Sequence, residues 1–208
     1  RGDYHRLLEN YKASIQNLGA ADIPVVCYNF MPVVDWTRTN LQYELPNASQ
    51  ALRFEMSDFA AYDVYILKRE NAAQDYDPLV LEKSRLRLDN MSDQEQLLLE
   101  KNIIAGLPGG EGSYDRQGIL KAITEFIELG NEGLRANLFS FLQDVIPVAE
   151  VADVRMCIHP DDPPFSLFGL PRVVSTADDA RALMAAAPSI SNGLTLCAGS
   201  FGARADND

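Results

Sequence analysis

The chain has 208 residues, 47% hydrophobic and 23% charged, with a net charge of −12. That length suits one domain, or part of a larger one, with an ample core. The acidic balance argues against nucleic acid and anionic membranes as partners, because both need basic patches; it leaves room for an anionic small substrate, whose charge one arginine or a metal offsets locally. No apolar run approaches the roughly 20 residues of a membrane span. The three cysteines, Cys27, Cys157 and Cys197, form no CxxC and fit reduced thiols in a cytoplasmic protein. The chain starts at Arg1 and stops at "ARADND", which gives the expectation of an excerpt from a longer protein.

Leu7, Leu8, Tyr11, Ile15 and Leu18 recur at helical spacing, with Gly19 as a stop and His5 facing solvent. "IPVVCYNF" follows as a short buried strand, which places Cys27 in the core. "MPVVDWTRT" reads as a loop or strand extension, since Pro32 argues against a central strand. Residues from about 40 to 110 form a charge-rich helical excursion. In it "LVLEKSRLRL" is a helix, and Ser92 to Glu95 match a capping box before "QLLLEKNIIAG". "GLPGGEGS" reads as a linker: it lacks the GK[ST] ending of a phosphate loop, and Ser113 is placed to cap the next helix.

Two apolar faces come next, Ile119, Leu120, Ile123, Phe126 and Ile127, then Leu134, Leu138, Phe141, Leu142 and Val145, with Pro147 near the end. "VRMCI" is a strand, with Cys157 read as core. Ser175 and Asp178 suggest a cap for the helix "ARALMAAA", and "LTLC" is a short strand ending at Cys197, followed by a loop. The alternation of helix and strand implies an α/β protein with parallel strands.

The apolar run before His159 stops at "HPDDPP", which is open to three readings: a metal site, a catalytic loop, or a turn. Cys197 lies 38 residues further on, also at a strand end. One strand-plus-helix unit of a TIM barrel takes about 31 residues, so both side chains would reach the same rim on strands about 4.8 Å apart. A packed histidine is the plainer alternative. For Asp161 and Asp162 the plain reading is turn chemistry before proline; the functional one is that one of them orients a ligand or meets a substrate hydroxyl. Trp36, the single tryptophan, either packs on a core rim or walls a pocket in which Asn29 and Arg38 bind hydroxyls or a carboxylate.

The segments "CYNFMPVVDWTRT", "GLPGGE", "LRANLFSFLQDVIPVAE", "IHPDDPPFSLFGLPRVVST" and "NGLTLCAGSFGARADND" together resemble the mannonate dehydratase family, across essentially the whole chain. The resemblance implies a TIM (β/α)8 barrel related to xylose isomerase-like barrels. Residues 1–208 would be part of that single domain, about strands four to six of the barrel, with the 40–110 excursion on the carboxyl-terminal rim. It implies a hydro-lyase that turns D-mannonate into 2-keto-3-deoxy-D-gluconate in hexuronate (glucuronate) breakdown, with Mn2+ or Fe2+ as cofactor. His159 and Cys197 match the family's metal ligands, and Asn29, Arg38, Asp161 and Ser200 are candidates for substrate binding.

The family pattern continues into a further histidine strand and an aspartate strand, so the general acid and base are not assigned, and the 208-residue portion alone is expected to be inactive. A homo-oligomer is compatible with this reading. The alternatives are another metal-dependent sugar isomerase or lyase on the same barrel, a truncated barrel without activity, and a noncatalytic interaction protein.

Overall fold

The computed structural model describes residues 3–105 and 115–207. The linker reading of "GLPGGEGS" and the Ser113 cap fall outside the described residues. The chain divides into two compact units. The first holds the residues up to Met31, Leu129–Phe165 and the residues from Pro171 on; the second holds Pro32–Glu128 and Ser166–Leu170.

The first unit is built on a parallel sheet of three strands, β1 (Val25–Tyr28), β4 (Arg155–Ile158) and β5 (Asn192–Leu194), in the order β1-β4-β5. The register pairs Cys27 with Cys157 and Cys157 with Gly193. Its helices are α1 (Tyr4–Ala20), the part of α5 (Arg116–Val151) beyond Gly130, α6 (Ala177–Ala186) and the single turn α7 (Ala198–Phe201). On one face of the sheet Tyr28, Met156 and Ile158 are buried. Tyr28 packs against Phe141 of α5, which meets Tyr11 of α1 edge-on at 5.1 Å between ring centroids. Asn192 donates to the carbonyls of Leu183 and Ala187 and so ties β5 to α6.

The other face corrects the placing of two cysteines. Cys27 is exposed and Cys157 half-buried, not core residues. Strand pleating puts them opposite Tyr28 and Ile158, on a face where Val25 is also 53% exposed. These strands alternate as half-covered strands do, and the three of them do not close a barrel.

Gly19 sits one residue before the end of α1, and the reason for a glycine there is proximity rather than helix termination: an added Cβ would collide with the Ala152 carbonyl. The two apolar faces between 116 and 151 belong to one helical run broken at Gly130, where φ is 66° and ψ 179°. A glycine takes that left-handed φ without strain. Pro147 lies near the end of the run, inside its last turns.

The cap of α6 falls one residue later than Ser175. Thr176 is the N-cap, and Thr176 and Asp179 form a full capping box. Burial pushes the Asp179 carboxyl up, but donors from Ser175, Arg135 and Thr176 outweigh it and hold it below the ordinary carboxylate range. The folded state therefore binds fewer protons here. This stabilisation is complete above the unfolded carboxyl value and is lost as pH falls through the folded one. Asp179→Asn is expected to cost about 1 kcal/mol at neutral pH and to flatten the acid limb of a stability-against-pH curve. A variant with the wild-type acid limb would count against this account.

The second unit starts with a hairpin that the helical reading of 40–110 does not contain: β2 (Asn40–Glu44) and β3 (Gln50–Arg53), antiparallel with a bulge. Helices α2 (Met56–Ala60), α3 (Pro78–Asp89) and α4 (Asp93–Ala105) follow, with a π-turn over Ala61–Ile66 between α2 and α3. Ser92 and Glu95 make the capping box ahead of α4, the Ser92 N–H donating to Glu95 at 2.9 Å and the Glu95 N–H to Ser92 at 3.3 Å.

The core of this unit encloses a fully buried carboxylate, Asp63. Arg69 grips it with two bonds of 2.9 and 2.7 Å, the Tyr76 hydroxyl donates to it at 2.7 Å, and Arg69 also reaches Asp75 at 2.6 Å. The segment Ser166–Leu170 packs here. Phe168 lies 4.6 Å from Phe59 between ring centroids and 6.2 Å from Tyr62. Gly169, at φ 69°, leaves room for Asp75 and Arg69.

Candidate metal centre

β4 ends at Ile158, and the ladder still holds the next residue: the His159 N–H donates to the Tyr28 carbonyl at 2.7 Å. The backbone at the candidate ligand is thus as fixed as the strand. The ring Nδ1 sits 2.7 Å from the Pro160 carbonyl oxygen. A carbonyl only accepts, so Nδ1 carries a proton, and Nε2 is the nitrogen left to meet a metal.

β5 ends at Leu194, short of the expected Cys197. Thr195 still donates to the Ile158 carbonyl at 2.8 Å, and Cys197 is the N-cap of α7, in place of the loop expected there. The two side chains nevertheless meet: the Cys197 thiol is within hydrogen-bonding reach of the His159 ring. Both are half-buried. The Ser200 hydroxyl donates to the Cys197 sulfur at 3.3 Å. Ser200 first, and then the His159 ring, draw the thiol down to about 7. Thiolate is therefore accessible at neutral pH, and thiolate is the form a metal takes.

The donor set suits a divalent cation of borderline softness. It supplies two donors, and among the described residues no group of three or more His, Cys, Asp and Glu comes together.

The remaining candidates fall into different settings. Asp161 is buried, its N–H donates to the Val174 carbonyl, and its Oδ2 accepts from the Val174 N–H and the Ser175 hydroxyl, each at 2.8 Å. These bonds tie the start of the rim loop to its return limb. Burial raises the Asp161 carboxyl, against the pull of Arg172 and of those donors. Asp162 is half-buried and its N–H points at the Met31 sulfur. Asn29 follows β1, and its Oδ1 is buried without a hydrogen-bond partner among the described residues. Arg38 belongs to the second unit, half-buried, and donates to the Thr37 carbonyl at 2.9 Å.

Two residues gain importance only from the structure. Arg172 is buried, with its charge felt by Asp161, and its N–H donates to Asn131. Thr195 lies 3.3 Å from the Cys27 sulfur. Neither stands in a spacing that periodicity singles out.

Parallel strands flanked by helices, with an imidazole, a thiol and a buried serine gathered just past their carboxyl ends, define an α/β protein whose candidate site lies where that class binds its ligands. The D-mannonate dehydratase (UxuA) family matches residues 1–208, and the chain belongs to that family. It is 68% identical over 207 residues to the mannonate dehydratase of Saccharophagus degradans, covering 100% of this chain and 52% of that protein. It is 55% identical to mannonate dehydratase 2 of Agrobacterium fabrum, covering 99% of this chain and 52% of that one. The crystal structure of mannonate dehydratase from Streptococcus suis serotype 2 superposes with a TM-score of 0.65 at 32% identity, over 100% of this chain and 46% of that one. The chain thus spans about half the length of the curated relatives it matches. Among the described residues no helix is long and apolar enough to cross a membrane.

Proposed function

We propose that this chain carries part of the active centre of an enzyme that dehydrates D-mannonate to 2-keto-3-deoxy-D-gluconate, on a TIM barrel to which β1, β4 and β5 contribute three strands. The observation that carries the reading is the meeting of His159 and Cys197 past neighbouring parallel strands, in a chain of this family. In the proposal these two residues hold Mn2+ or Fe2+, His159 through Nε2 and Cys197 as thiolate. A bound divalent cation would neutralise the charge that builds up beside the substrate carboxylate as the C2 proton leaves.

Asn29 offers its buried oxygen to a substrate hydroxyl. Arg38 stays a candidate for the carboxylate on its charge alone. Asp161 acts through the loop, keeping His159 in place, with substrate contact as its further candidate role. A general base for C2 and a general acid for the C3 hydroxyl complete the reaction, and no residue of this chain is assigned to either. A cytoplasmic place in hexuronate breakdown and a homo-oligomeric assembly belong to the same proposal.

The test is product formation from D-mannonate by protein of full family length, stripped by chelator and then reloaded. Keto-acid is expected with Mn2+ or Fe2+ and not with the stripped protein. Isomerisation of a keto-sugar in place of dehydration would favour the sister chemistry and overturn the reading. The 208-residue chain by itself is expected to be inactive, and turnover by it would refute that part.

A further inference from the structure

We propose that Ser200 is a positioning residue for Cys197: its hydroxyl directs the sulfur as a ligand and tempers the softness of that ligand, so that manganese or iron competes better against zinc. The proposal rests on the reading of Cys197 as a metal ligand. Ser200 is 2% exposed, and the only hydrogen bond its hydroxyl donates among the described residues runs to the Cys197 sulfur, at 3.3 Å. A hydroxyl buried to that degree is expected to be hydrogen-bonded, and here its partner is the sulfur. Such a sulfur accepts more strongly once it carries the charge of a metal-bound thiolate than it would as a neutral thiol. The Phe201 N–H donates to the Cys197 carbonyl at 3.0 Å and closes the turn between them, so the hydroxyl is brought to the sulfur by the backbone.

The consequence is chemical. A thiolate bonded to a hydroxyl has part of its charge drawn off and one lone pair occupied, with the others left for a cation. An unmodified thiolate favours soft cations such as zinc over manganese. Weakening its donation moves the site toward harder cations, as outer-shell hydrogen bonds do elsewhere. The role is separate from direct substrate contact: the single proton of the Ser200 hydroxyl goes to sulfur, while its oxygen can still accept from a substrate hydroxyl.

The test loads chelator-stripped protein of full family length with Co2+ and reads the sulfur-to-cobalt charge-transfer absorption. Without the hydroxyl the sulfur gives up charge more easily, so Ser200→Ala should move the band to longer wavelength. Competition between Zn2+ and Mn2+ should shift toward zinc by about 10-fold or more. Ser200→Thr keeps a hydroxyl and should restore the wild-type band. Ser200→Val, of the same shape as threonine, should not, so this pair answers the question even if alanine unsettles the turn. A wild-type band that Ser200→Ala and Ser200→Val leave unmoved overturns the proposal while leaving the ligand reading intact. No band in the wild-type protein overturns the ligand reading itself, and the proposal with it.

Discussion

Replacing His159 with alanine is expected to strip the divalent cation from a protein of full family length and to abolish D-mannonate turnover. Substituting a group that merely orients a ligand costs 10- to 100-fold in metal affinity or activity; losing the ligand itself should cost at least about 100-fold. The structure makes the expectation specific. The His159 backbone is held by Tyr28 and its ring by the Pro160 carbonyl, so removing the ring should leave strand and loop in place. Metal content per chain, read by elemental analysis beside far-UV circular dichroism, separates loss of a ligand from loss of the fold. A His159→Ala protein that keeps wild-type metal content and turnover would refute the assignment. Cys197→Ser should weaken metal binding through a different change: an oxygen replaces sulfur, and the thiolate accessible near neutral pH disappears.

The second large effect is expected far from that chemistry. Asp63→Ala should destabilise the second unit by about 3 kcal/mol, the lower end of what breaking a buried ion pair costs. The reasoning is one of abandonment. Arg69 is 8% exposed, with two of its bonds on Asp63 and one on Asp75, and Tyr76 also spends its hydroxyl on Asp63. Alanine leaves a guanidinium with half its partners and a phenol with none of its present ones. The remaining bond to Asp75 is why the lower end of the range is expected. Trp36 is the chain's single tryptophan and lies in this unit, so its fluorescence follows the unit during urea unfolding. With a slope of about 1–3 kcal/mol per molar urea, the midpoint should fall by roughly 1–3 M. An unmoved midpoint would mean that the network contributes specificity rather than stability.

Much of this was legible in the residues. α3 and the capping box before α4 follow from apolar spacing and from the pairing of Ser92 with Glu95. The parallel sheet follows from strands separated by helices. The hairpin at 40–53 was not legible, because nearly every residue of β2 and β3 is exposed or half-exposed. Such strands show no apolar alternation; they are held by their own ladder and by Arg53 stacked 4.4 Å over Tyr43.

The cysteine placements failed for the opposite reason. "VVCY" and "MCI" look apolar throughout, yet only alternate residues meet the helices. At the site, strand ends and spacing brought His159 and Cys197 to neighbouring strands, but no spacing rule announces that Ser200 turns back onto Cys197. A three-residue return through a short helical turn is a backbone fact, and it leaves no periodic trace. Family resemblance, not physics, supplied the substrate.

The anchoring of Phe168 carries a consequence for how such sequences diverge. The stretch from His159 to Ser175 is tied at Asp161 to its own return limb, while Phe168 is sunk between Phe59 and Tyr62 of the second unit. Drift around Phe59 and Tyr62 is therefore not silent for the segment Ser166–Leu170, which belongs to the same unit. Relatives that reshape this insert should carry compensating changes at Phe168 and Gly169, so that positions about a hundred residues apart in sequence vary as a set.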